Sequence, residues 1–139
     1  MSSEDGLWEN LREKLRCKGT HAIRVENSVG PGTPDVNICL DGREVWVELK
    51  HVHEWPARQD TLVDIGLRPD QVTWLGRRGR AGGNVWILVQ VGTDYLLFWW
   101  KFAPKLYIGV PRSEMESEAV GAWSKRINMV EFKLIVRGI

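Results

Sequence analysis

Apolar residues recur on two different periods along this chain, and the switches between them mark its elements. Leu7, Trp8, Leu11 and Leu15 repeat at helical spacing, the stripe of an amphipathic helix. Ser2 or Ser3 is placed to cap that helix, Glu4 and Asp5 fill its first turn, and Gly19 ends it just past Lys18. From His21 to Glu26 the period drops to two, as in a strand. Asn27 to Gly32 reads as a loop. Asp35–Leu40 and Arg43–Lys50 are two further strands, joined by Asp41-Gly42. Residues 51–67 carry Pro56 and scattered charge and read as a long loop, a length that is often functional or mobile. Pro69 opens a second helix that runs to about Arg77. Arg78 to Asn84 is a basic, Gly-rich turn. Val85–Val91 and Tyr95–Trp100 are strands again. Beyond Lys101 the pattern predicts a strand at Leu106–Val110, a helix at Ser113–Lys125 and a strand at Val130–Val136.

This order of elements belongs to an α/β protein. A helix between two strands of one sheet demands a parallel, right-handed crossover, whereas the Asp-Gly hairpin is antiparallel. The sheet is therefore mixed and flanked by helices. At 139 residues the chain holds one domain with one real core. Residues 1–100 would form that core, and 101–139 an extension packed on it and available as a dimer interface.

Composition narrows the class. Apolar residues make up 43% and charged residues 27%, which are globular values. No apolar run reaches membrane-spanning length. The start, MSSEDGLW, lacks the basic and apolar regions of a signal peptide. Two cysteines make no disulfide framework, and Cys39, on a strand, reads as a small buried hydrophobe. A reducing, cytoplasmic setting is expected. The net charge of +1 disfavours a protein that coats nucleic acid along its whole surface, but allows a local basic patch. Eight tryptophans are many, and suit both core packing and stacking on bases.

The hairpin carries the chemistry. A two-residue Asp-Gly loop needs positive φ at both positions, and it fixes which residues face each other. Leu40 faces Arg43, Ile38 faces Val45, and Asp35 falls opposite Glu48. Side chains so paired lie about 4.5–5.5 Å apart at Cβ. Alternation puts Lys50 on the face of Glu48. Two carboxylates and one amine thus converge, and like charges that close are best tolerated with a cation between them. This is the layout of a divalent-metal phosphodiesterase site.

Pro34-Asp35 followed by Glu48-Leu49-Lys50 resembles the PD-(D/E)xK nuclease signature. The wider run from Arg24 to Lys50 is similar to small phage-type members of that superfamily, a group akin to archaeal Holliday-junction resolvases and virus-type replication-repair nucleases. The likeness spans residues 3–98. It implies a restriction-endonuclease-like αβββαβ core and a magnesium-dependent endonuclease, with manganese a substitute. Asp35 and Glu48 would hold the metal, joined by the Leu49 carbonyl. Lys50 would orient the attacking water or stabilise the transition state. Relatives often add an acid from the first helix. Glu4, on the side of Leu7 and Trp8, is the candidate, with Glu9 a rival turned about 100° from Trp8 and Glu26 another. Gln71 matches a glutamine of related nucleases and would touch the scissile phosphate or the water.

Arg24, Arg77, Arg78 and Arg80 are the expected phosphate contacts, the last three in a mobile basic loop; Arg12, Lys14, Arg16 and Lys18 add charge on the first helix. His51 and His53 form an HxH pair, a weak zinc signal without a third ligand. The resemblance implies cleavage of branched DNA by a homodimer, in the host cytoplasm if the chain is phage-encoded. A flap or nicking nuclease, or a silent nucleic-acid-binding protein on the same fold, are the alternatives.

Overall fold

Asp41 and Gly42 sit at positive φ, 50° and 82°, the backbone that a two-residue hairpin requires. The turn joins β2 (Val36–Leu40) to β3 (Arg43–Val52). It sets Leu40 against Arg43, Ile38 against Val45 and Val36 against Val47. In the computed structural model, which describes residues 3–25 and 30–138, six strands form one sheet in sequential order. β1 (Thr20–Arg24) lies antiparallel to β2. β3 runs parallel to β4 (Val85–Val91), with α2 (Pro69–Arg80) as the crossover between them. β5 (Asp94–Trp99) and β6 (Gly121–Ser124) complete the sheet antiparallel. The sheet is mixed, as its order of elements demands.

Alternation splits the side chains between two cores. Val36, Ile38, Leu40, Val45, Val47 and Leu49 pack against Leu7 and Leu11 of α1 (Ser3–Lys14) and Leu15 just past its end. On the opposite face Val85, Ile87, Val89, Leu96 and Phe98 pack against Leu75 of α2. Glu48 and Lys50, interleaved with Val47 and Leu49, therefore point to the α2 side. Cys39, expected inside, is only half-buried. No helix among the described residues is long and apolar enough to cross a membrane.

The first helix stops at Lys14 rather than Lys18. Gly19 (φ 85°) turns the chain there, and its carbonyl accepts the Asp41 N–H. Entry into β1 beside the hairpin tip therefore ends the helix early. The second helix runs on to Arg80, so Arg77, Arg78 and Arg80 belong to helical turns and not to a loop.

The tail departs most from expectation. Residues 106–110 are not a strand: α3 (Ala103–Ile108) buries Ala103 and Leu106 on one helical face. The helix expected over 113–125 ends at Glu118 (α4, Arg112–Glu118), and Gly121–Ser124 instead pairs with the open edge of β5. Residues 130–136 form α5 (Met129–Val136), burying Phe132 and Val136 one turn apart. Asn128 caps it by accepting the Glu131 N–H. β-Branched and aromatic content favours a strand here, but the core takes residues at helical spacing.

The segment between β3 and α2 is tied down. Val63, Ile65 and Leu67 are buried against the α2-side core, and Val63 forms a β-bridge with Val110 of the tail. The loop before β2 also seats on α2. At Gly32 (φ 80°) an added Cβ would stand 2.1 Å from the Asp70 carbonyl oxygen. Gly32→Ala should therefore destabilise the fold by about 1–3 kcal/mol. Thermal unfolding reads this, and an unchanged Tm would mean that the loop does not rest on α2.

Candidate active site

Asp35 sits one residue before β2, in the register that puts it opposite Glu48. Its Oδ2 accepts the Leu49 N–H at 2.9 Å, which pins the carboxylate to β3. Glu48 and Lys50 are almost completely enclosed, at 1% and 4% exposure. The Lys50 Nζ lies 3.7 Å from Glu48 Oε2 and donates to the Gly66 carbonyl at 3.1 Å. The Gln71 Nε2 donates to Glu48 Oε2 at 3.0 Å. In turn the Gln71 Oε1 accepts the Arg68 N–H at 2.9 Å. The first turn of α2 thus orients Gln71, and Gln71 orients Glu48. Sequence reasoning directed Gln71 to a phosphate or a water; here both ends of its amide are engaged within the protein.

Glu48 Oε1 is left buried with no hydrogen-bond donor among the described residues. One buried carboxylate carries a desolvation cost of several kcal/mol, and one lysine at 3.7 Å with one amide does not cancel it. Burial therefore pushes the Glu48 carboxyl well above its ordinary 4.5. The charge of Asp35, and a hydrogen bond that the two carboxyls make once a proton lies between them, push it further, against the opposing pull of Lys50. Glu4 adds to the push.

Of the first-helix acids Glu4 and Glu9, Glu4 is the one near this centre. Burial raises its carboxyl above the ordinary value, with Lys50 pulling the other way and Asp35 reinforcing the rise. Glu9 is exposed and paired with Arg12 at 3.1 Å. Glu26 lies outside the described residues. Arg24 pairs with Asp5 and is close enough to act on Glu4. No three His, Cys, Asp or Glu side chains among the described residues form a ready-made metal-binding group. His51 is on β3 with the parity of Leu49, away from Glu48, and burial lowers its ring pKa. His53 is exposed just beyond the strand.

Two residues of the centre escaped sequence reasoning, Gly66 and Asp64. Asp64 Oδ1 accepts the Gly66 N–H at 2.9 Å, and Gly66 takes φ 77°. This turn presents the carbonyl that holds Lys50. The alternation of Val63, Ile65 and Leu67 with Asp64 and Gly66 was the available signal.

The raised Glu48 carboxyl makes stability depend on pH. The unfolded chain ionises Glu48 near 4.5, before the folded protein does. The contribution is therefore full at low pH and is lost as pH rises through the folded value, at about 1.4 kcal/mol per unit; Glu4 acts with the same sign. In EDTA the Tm should fall from pH 5 towards neutrality and above. Glu48→Gln should flatten that slope and raise the Tm on its alkaline side. A variant as steep as the wild type would remove Glu48 as the source.

No protein-family model matches the sequence, and no curated protein matches it. Among solved structures it is similar to Hjc of Archaeoglobus fulgidus, described as a Holliday junction resolvase from an archaeal hyperthermophile. The likeness has a TM-score of 0.50 at 19% identity, over 81% of this chain and 97% of that one. The mixed sheet with its flanking helices has the restriction-endonuclease-like fold of that protein.

Proposed function

We propose that the chain is a divalent-metal-dependent endonuclease that hydrolyses DNA phosphodiester bonds, with a four-way junction as its preferred substrate and a homodimer as its working form. The observation that carries this reading is Glu48 Oε1, a buried carboxylate oxygen without a donor among the described residues, beside the second carboxylate of Asp35. A hard cation is the partner such an oxygen lacks. Magnesium takes oxygen ligands and keeps several waters; manganese suits the same donors. Asp35, Glu48, Glu4 and the Leu49 carbonyl would hold it. When bound, the ion supplies an acidified water and charge to set against the phosphate.

The protein's own residues divide the remaining work. Gln71 fixes the rotamer of Glu48. Lys50, steadied by the Gly66 carbonyl, brings its ammonium beside the carboxylate pair and offsets negative charge that develops on the phosphoryl oxygens. Arg77, Arg78 and Arg80 would grip phosphates, which positions a strand without reading its bases. The likeness to a Holliday junction resolvase favours a branched substrate by fold analogy. Paired symmetric cuts then call for two copies related by a two-fold axis.

The test is cleavage of single strand, duplex, flap and four-way junction with magnesium or EDTA. Paired, metal-dependent nicks in the junction are expected. Asp35→Asn should abolish them with the fold intact, and retained cutting would sink the metal centre. Lys50→Ala should lower the rate about 100-fold or more with binding unchanged; equal losses in both would make it a binding residue. Flap cutting by a monomer would redirect the reading to a repair nuclease. Binding without any cutting would redirect it to a silent module.

A further inference from the structure

Most arginines of this protein are neutralised at home. Arg12, Arg16, Arg24, Arg58, Arg68, Arg112 and Arg137 each pair with a carboxylate. Arg77, Arg78 and Arg80 of α2 and Lys101 of the turn that follows β5 make no ion pair among the described residues. Arg78 lies over the rings of Trp74 and Trp46, at 4.8 and 5.8 Å from their centroids.

Between α2 and that turn is a hollow of about 400 Å³, lined by Val72, Thr73, Gly76, Arg80, Trp100 and Lys101, with no acidic side chain in its wall. Two glycines of α2 make room for it. A Cβ at Gly79 would stand 2.1 Å from the Trp100 ring, and one at Gly76 would stand 2.9 Å from an Arg80 guanidinium nitrogen. Trp100 therefore lies flat against the helix backbone, with the Lys101 Nζ 5.8 Å from its ring centroid. The Trp100 Nε1 is buried and has no acceptor among the described residues. Arg80 and Lys101, two cations without an ion pair among the described residues, around one hollow with no acidic side chain call for an anion.

We propose that this hollow holds a backbone phosphate of the DNA strand being cut. The inference rests on the nuclease reading for its substrate class and adds a second contact point to it. Gln71, against Glu48, and Arg80 are nine residues apart on α2, about 14 Å along the helix axis. Nine residues are about two and a half turns, so Arg80 faces away from the Glu48 side, and the phosphate held here is not the scissile one.

The test is binding of a fluorescent duplex and a four-way junction in EDTA, read by anisotropy across a salt series. Arg80→Gln with Lys101→Gln should weaken binding about tenfold and reduce the log–log salt slope by about one to two. Ethylation interference along the bound DNA should mark a backbone phosphate in the wild type that the double variant no longer reads, which separates a backbone phosphate from a free anion. Unchanged affinity and salt slope in a folded double variant would overturn the hollow as a phosphate site, as would a wild type that binds no DNA. Binding with the expected slopes but no cleavage by the wild type would instead overturn the nuclease reading and leave the hollow standing.

Discussion

A slip of one residue between β2 and β3 would carry Glu48 and Lys50 into the core of Leu7 and Leu11, and turn Val47 and Leu49 towards Gln71. Both faces would fail at once. The fold and the site therefore rest on one register, which Asp41 and Gly42 set by taking positive φ in a two-residue turn. The Asp35 carboxylate reinforces it from the far end of the hairpin by accepting the Leu49 N–H. A group proposed to serve the chemistry also closes the hairpin's open end.

Around that register the protein encloses a carboxylate it does not fully satisfy. Gln71 supplies one donor to Glu48, Lys50 stands at 3.7 Å, and Oε1 receives no hydrogen bond from the described residues. Lys50 is itself held by the Gly66 carbonyl, on a segment whose Val63 bridges to Val110. The tail is therefore linked to the site through packing. Trp55 adds a second tie: its indole N–H donates to Asp94 at 2.7 Å, and Arg112 of α4 covers its ring at 4.5 Å.

The parts legible in the sequence were those decided locally. Asp41-Gly42 fixes a turn, alternation fixes a face, and together they bring Asp35, Glu48 and Lys50 to one patch. The stripe of Leu7, Trp8, Leu11 and Leu15 gives the first helix by the same logic, and Glu4 follows it to the site. What was illegible depends on distant partners. Residues 130–136 have strand composition, yet become helical because Phe132 and Val136 both reach the core. Gly121–Ser124 becomes a strand because β5 offers an open edge. Gly79 suggested a loose turn, whereas it lies inside α2, where Trp100 packs against bare backbone. The role of Gln71 was hidden for the same reason, since its partner Glu48 lies 23 residues away.

The most direct measurement is calorimetric titration of magnesium into the wild type and Asp35→Asn, in buffers of different ionisation enthalpy at neutral pH. One saturable ion is expected in the wild type, with release of whatever share of a proton the raised Glu48 carboxyl still holds, since a ligand must be deprotonated to bind. The variant should show neither binding nor release. Equal binding by both proteins, or none by the wild type, would contradict a metal centre at Asp35 and Glu48.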